Sequence, residues 1–267
     1  MKTKKAWLAL SVILAFLFGT GYALSKYKLV QSSAGLVLEM QADKQSYMPG
    51  EMISLRFSIK NGSNVATSVS KQSTVWDGNL KVFIAYETGP FKEYVGPGWG
   101  TRDRLPRQLL KLNPAESFET EATVLWNQKI ETSHLNEVYA KTLPKQRLNT
   151  DYALTESGTY YLKAVLYDSQ TGTNIESAPL FLALEEPQGA DLNIWKTLKQ
   201  NADYALFIQT GGLMEHPNGP KTVKVARELE NIMSRHSDSR YAKSIRSGLS
   251  KHKETVEGLG PDKPLEN

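Results

Sequence analysis

Apolar and polar residues alternate through much of the chain between residues 35 and 187. Ile53, Leu55, Phe57 and Ile59 alternate with Met52, Ser54, Arg56, Ser58 and Lys60, and Asn61-Gly62 follows as a turn signal. A period of two marks a strand with one face on a core and the other in water. Leu36, Leu38, Met40 and Ala42 form an earlier run of the same kind, and Pro49-Gly50 separates the two. Proline presets φ at one turn position and glycine accepts positive φ at the next. The same period predicts strands through Leu80, Val82, Ile84 and Tyr86, through Phe118, Ala122, Val124 and Trp126, through Tyr160, Leu162, Ala164 and Leu166, and through Ala178, Leu180, Leu182 and Leu184. Short strands separated by turn chemistry predict a mainly β fold, an antiparallel β-sandwich over residues 35–187.

The period changes after Pro187-Gln188-Gly189. Leu192, Trp195, Leu198, Ala202, Ala205 and Leu206 recur at helical spacing behind a candidate cap at Asp191, and Gly211 to Pro220 ends the stripe. Val225, Leu229, Ile232 and Met233 predict a second helix. Tyr241, Ile245 and Leu249 predict a third, with Ser237 or Asp238 as its cap. The expectation is a small all-α domain of about three helices over 191–253. Residues 254–267, with Pro261 and Pro264, are expected to form a flexible tail.

The first residues follow neither period. Lys2, Lys4 and Lys5 precede an apolar run from Ala6 to Phe18, and Gly19 to Ala23 supplies small residues. This is the layout of a secretory signal peptide, residues 1–23, cut after Ala23. An uncleaved membrane anchor is the alternative, because the apolar stretch read from Ala6 to Leu24 approaches the ~20 residues a spanning helix needs. Either reading places the remainder outside the cytoplasm, periplasmic or extracellular, touching a membrane only through an uncut N-terminal segment. Export also changes the charge. The whole chain of 267 residues carries +4, but without the three leading lysines 29 basic groups face 28 acidic ones. A nearly neutral mature chain is not a nucleic-acid footprint, and only residues 191–254, with 11 basic and 7 acidic groups, are mildly basic. The absence of cysteine removes disulfides, thiolate zinc sites and a cysteine nucleophile.

Lys44-Gln45-Ser46-Tyr47-Met48-Pro49-Gly50-Glu51, with the strand that follows it, resembles the opening of immunoglobulin-like and macroglobulin-like β-sandwich modules of bacterial exported proteins. Leu112 to Ser117 resembles their mid-domain turn, Gly158 to Ala164 their penultimate strand and Ile175 to Leu184 their last. The resemblance implies an immunoglobulin-like sandwich held by packing alone, with Tyr160 as a tyrosine corner whose hydroxyl is tied to nearby backbone. Ala226 to Leu249, with His236 to Ala242 at its turn, is similar to the helix junctions of tetratricopeptide-like repeats, without a full repeat at a fixed period.

Enzyme signatures are lacking. There is no G-x-S-x-G elbow, H-E-x-x-H helix, P-loop, dinucleotide-binding glycine fingerprint or EF-hand loop. S-x-x-K at Ser68 and Ser250 lacks the accompanying K-T-G, and His134, His216, His236 and His252 are dispersed. Asp168 to Asn174 reads as a polar hairpin turn rather than a calcium loop. Neither cofactor nor metal is expected. What remains is the pair of long segments Phe91 to Arg107 and Asn127 to Asp151, and long connections often carry function. Trp99, Tyr94, Arg102, Arg104, His134 and Tyr139 are therefore the candidate contacts to a ligand or partner. Trp76 and Trp126 are expected to close the sandwich core, and Trp195 to pack the helices onto it. The expected function is a non-catalytic binding or assembly protein at the cell envelope or outside it, with a protein or glycan partner. The alternatives are a carbohydrate-binding module using loop aromatics, a proteinase-inhibitor-like sandwich and an accessory domain of a secreted hydrolase.

Overall fold

The computed structural model describes residues 35–71, 73–75, 78–97, 108–129, 149–168 and 171–258. The proposed leader, Trp76, Trp99, Arg102, Arg104, His134, Tyr139 and the chain beyond residue 258 lie outside the described residues. Within them the strands are β1 (Leu36–Ala42), β2 (Ser46–Tyr47), β3 (Ile53–Asn61), β4 (Thr67–Ser70), β5 (Leu80–Tyr86), β6 (Lys92–Glu93), β7 (Leu109–Leu112), β8 (Ser117–Val124), β9 (Trp126–Lys129), β10 (Asn149–Tyr152), β11 (Gly158–Asp168), β12 (Thr173–Glu176) and β13 (Leu180–Leu184). Four helices follow: α1 (Gly189–Leu198), α2 (Ala202–Thr210), α3 (Pro220–Arg235) and α4 (Arg240–Gly258). The described chain is a mixed β-strand region followed by a four-helix segment.

Strands β1, β3 and β8 form a three-stranded antiparallel sheet in which Phe57 lies opposite Met40 and Thr120. A six-stranded sheet runs β2-β13-β11-β5-β6, with β12 added to β11. Its one parallel pair is β2 with β13. Leu36, Leu55, Phe57 and Ile59 from the first sheet share one core with Val82, Leu162, Leu166 and Leu182 from the second. The alternation read from the sequence is the alternation of burial: β3 is buried at every other residue from Ile53 to Asn61. Asn61 ends that strand because its side-chain amide donates to the carbonyls of Val65 and Leu112 while its oxygen accepts the Ser63 N–H. The Tyr160 ring is buried, and its hydroxyl accepts the N–H of Glu156 four residues upstream. The short pairs β4-β7 and β9-β10 stand apart from the two main sheets.

A second core joins the helices to one end of the strands. Met48, Leu125, Trp126 and Tyr152 pack with Ile194, Trp195, Leu198, Phe207, Tyr241 and Ile245. Gly50 has a φ of +73°, and a Cβ there would fall 2.0 Å from the Trp195 ring, so the Pro49-Gly50 turn admits the indole only because it ends in glycine. Trp195 meets Tyr152 edge-on at 5.0 Å and stacks on Tyr241 at 6.5 Å. The Tyr241 hydroxyl donates to the Pro49 carbonyl at 2.7 Å. Beside this contact the buried Glu51 carboxylate pairs with Lys44 and Arg240 and accepts the Met48 N–H.

Several expectations change. The apolar stripe from Leu192 to Leu206 is two helices, because Asn201 leaves helical geometry and its side chain accepts the Asp203 N–H, capping a new start. The helical part therefore has four helices, of 10, 9, 16 and 19 residues. α1 begins before Asp191, which instead accepts the Ser239 hydroxyl. Ser239, rather than Ser237 or Asp238, accepts the Tyr241 N–H at the start of α4. That helix runs through Gly258, past the residue 254 boundary expected for the tail. Trp126 lies beyond a break at Leu125 and packs on the helices instead of closing the sheet core.

Candidate binding surface

Of the six residues expected to contact a ligand, Tyr94 alone is described, and it faces inward. It is 5% exposed. Gln209 of α2 donates to the Tyr94 hydroxyl at 3.0 Å and to the Thr123 carbonyl at 2.6 Å, while its oxygen accepts the Trp126 N–H at 2.7 Å. Burial pushes the Tyr94 phenol well above its ordinary pKa, so it remains a neutral donor. Tyr94 is thus one end of a buried polar bridge between the strands and α2. The cavity beside it, lined by Val75, Leu80, Val95, Pro97 and Ala122, encloses about 170 Å³. Sites for drug-sized ligands are usually above about 300 Å³. A cleft of about 360 Å³ beside Trp195 is large enough, but it mixes Asp151, Glu156 and Glu186 with Lys196 and Lys199.

The described histidines are occupied locally. His216 accepts the Asn218 N–H, His252 packs on Phe207 with its Nδ1 3.0 Å from the Gly211 carbonyl, and His236 ends α3. Asp168 sits in the β11–β12 hairpin, where the Thr171 hydroxyl donates to its carboxylate and Gly172 takes a φ of +71°. Among the described residues no three His, Asp or Glu side chains gather as a metal site. Among those residues, too, no helix is long and apolar enough to cross a membrane.

The two main sheets differ sharply on their outer faces. On the three-stranded sheet the outward positions are Glu39, Gln41, Arg56, Lys60, Glu119 and Glu121, with Arg56 and Glu121 paired at 3.2 Å. That is the polar surface a half-buried antiparallel sheet ordinarily turns to water. On the six-stranded sheet the corresponding positions carry rings. Phe181 of β13 lies opposite Tyr161 of β11, and the two rings meet at 6.0 Å and 67°. Phe83 of β5 lies opposite Lys163, and Phe91 immediately precedes the edge strand β6. Phe181 is 50% exposed, Tyr167 of β11 on the same face 47%, Phe91 39% and Tyr161 37%. The Lys163 ammonium sits 5.8 Å from the Phe83 centroid and 5.3 Å from that of Phe91, and it pairs with Glu176 at 3.0 Å. Towards β6, Lys81 and Glu93 form another pair at 3.0 Å.

A search for exposed aromatics in loops does not reach these rings. The signal was nevertheless in the strands, where Phe83, Tyr161 and Phe181 occupy the alternate positions that should be polar if they faced only water.

No protein-family model matches the chain, and no curated protein matches it. Solved structures give remote, partial matches. The CARDB domain of a Pyrococcus furiosus protein, solved in complex with di-metal ions, is 11% identical over 60% of this chain and 100% of that one, with a TM-score of 0.28. The sporulation control protein Spo0M of Bacillus subtilis is 9% identical over 62% and 55% of the two chains, with a TM-score of 0.30. A beta-glucosidase from Listeria innocua matches at 10% identity over 57% and 16%, with a TM-score of 0.29.

Proposed function

We propose that the chain is an exported, non-catalytic binding or assembly protein of the cell envelope or extracellular space, built as an immunoglobulin-like sandwich whose helices brace one end. The observation that carries this reading is the contrast between the outer faces, one charged and one aromatic. Large rings at strand positions that a water-facing antiparallel sheet ordinarily fills with polar side chains cost solubility and point to a contact surface. The sandwich reading is supported by the arrangement of β1-β3-β8 against β2-β13-β11-β5, by the parallel β2-β13 pair and by the Tyr160 corner. Export rests on the N-terminal layout, Lys2 to Lys5 followed by the apolar run.

The test is co-sedimentation of the purified protein with isolated envelope fragments. The unaltered protein pellets with the fragments, and the double variant Tyr161→Ala/Phe181→Ala stays in the supernatant while its thermal midpoint changes by a few degrees at most. Equal behaviour of the two forms, or no pelleting of either, overturns the reading. The N-terminal mass of the mature protein tests export, with cleavage expected after Ala23.

A further inference from the structure

We infer that the ring-bearing face of the six-stranded sheet takes a neutral glycan, with sugar rings stacked on Phe181 and Tyr161 and hydroxyl groups bonded to the charged side chains beside them. This deepens the binding reading above and rests on it. Three properties of the face select the ligand.

The first is size. Aromatic side chains present roughly 150–250 Å² each, so the exposed fractions of Phe181, Tyr167, Phe91 and Tyr161 leave on the order of 350 Å² of ring surface. A standard protein partner, including a second copy of this chain, covers about 800 Å² per side. A patch of less than half that size suits a short stretch of polymer. Its width, from β13 across β11 to β5, is two inter-strand spacings, about 10 Å.

The second is charge. Lys163 is paired with Glu176, and Lys81 with Glu93, so the ion pairs around the rings are internally neutralised. A strongly anionic or cationic ligand would have to break a pair to gain one. An uncharged ligand leaves them intact.

The third is what lies in the middle. The Lys163–Glu176 pair is beside the rings, its ammonium over Phe83 and Phe91. An apolar protein surface pressed onto this patch would strip water from that pair without replacing its hydrogen bonds, a cost that can exceed the attraction between the charges. Sugar hydroxyls replace those bonds. A pyranose with mainly equatorial hydroxyls offers C–H groups on its faces and hydroxyls around its rim, matching rings flanked by ion pairs. Tyr161 and Phe181 meet edge to face at 67° and so present no single flat platform, which disfavours a flat crystalline polymer surface.

The experiment is amide-resolved NMR titration of the intact mature protein with cello-, laminari-, xylo-, manno- and chito-hexaose, with polygalacturonate as an anionic control. At least one neutral hexaose is expected to shift amides of β5, β11 and β13. Phe181→Ala and Tyr161→Ala should each weaken it at least tenfold, Glu119→Ala on the opposite sheet should leave it unchanged, and polygalacturonate should give no comparable shifts. Binding that survives Phe181→Ala, binding of polygalacturonate in preference, or no binding of any hexaose at millimolar concentration overturns the inference. If no hexaose binds while envelope retention still depends on Tyr161 and Phe181, the glycan is wrong and the binding reading stands, with an apolar partner in its place. If retention is also independent of those residues, both fall.

Discussion

Gln209 shows how much a single side chain holds in this molecule. Its amide satisfies the Thr123 carbonyl, the Trp126 N–H and the Tyr94 hydroxyl at once, all in the interior where α2 meets the strands. Replacing it with leucine leaves the buried Trp126 N–H without its partner and the Thr123 carbonyl with only the longer bond from the Tyr94 hydroxyl at 3.3 Å, at about 1–3 kcal/mol for the orphaned donor and a further loss for the weakened acceptor. Gln209→Leu is therefore expected to lose about 3 kcal/mol in urea denaturation, and Tyr94→Phe, which removes only one hydroxyl, about 1 kcal/mol. A double-mutant cycle should show coupling between them; strict additivity would mean that the bridge is not a unit. Gly50→Ala acts by sterics instead. Positive φ and the Trp195 ring together oppose any Cβ, so a loss of about 3 kcal/mol is expected. The roles of these residues were unevenly legible. Gly50 announced itself as a turn glycine after Pro49, but nothing local in the sequence pairs Tyr94 with a glutamine 115 positions away. Read beside a glycine-rich stretch, Tyr94 passes for a loop aromatic, and only the tertiary fold turns it inward.

At the scale of elements, legibility followed length. β1, β3, β5, β8, β11 and β13, each of five or more residues, reveal themselves through alternation, because several consecutive positions must obey one face. β2, β4, β6, β7, β9, β10 and β12 have two to four residues, too few to display a period, and their pairing is set by neighbours distant in sequence. The helices failed differently. α2 buries Ala205, Leu206, Phe207, Ile208 and Gln209 in succession, so its pattern merges with the stripe of α1 and hides the break at Asn201. One link between elements has a pH signature. Glu185, just after β13, accepts from the Ser46 hydroxyl and from Arg240 at the start of α4, and these bonds hold its carboxyl below the usual carboxylate value. A carboxyl with a lowered folded-state pKa stabilises the fold above its unfolded value, near pH 4.5, and that contribution fades as the pH falls further. The denaturation midpoint is thus expected to drop as the pH falls below about 4.5, and Glu185→Gln should flatten the drop. An unchanged slope in the variant would remove this link from the account.

Across the whole molecule the question is whether strands and helices are two bodies or one. Chains longer than about 150 residues often unfold in stages, and a β region followed by a helical segment is where a division would be expected. The contacts argue otherwise. Met48, Leu125, Trp126 and Tyr152 have left the sheet core for the helical one, so the strand region buries those side chains only while the helices are docked. Tyr152 also donates to the Leu198 carbonyl at the end of α1, and Arg240 reaches the Ser46 carbonyl and the buried Glu51. Releasing the helices would therefore expose a large aromatic cluster and leave the Glu51 carboxylate short of a cation, penalties that fall on the strands as well. Helical ellipticity and the NMR amide signals of β3 and β11 are expected to report one coincident transition. Trp195→Ala, which removes the ring seated on Gly50, should shift that transition by about 3–5 kcal/mol without splitting it. If the helical signal melts first and the amide signals of β3 and β11 follow at higher denaturant, the junction is a docking surface between independent bodies, and the ring-bearing sheet face folds without the helices that brace its far end.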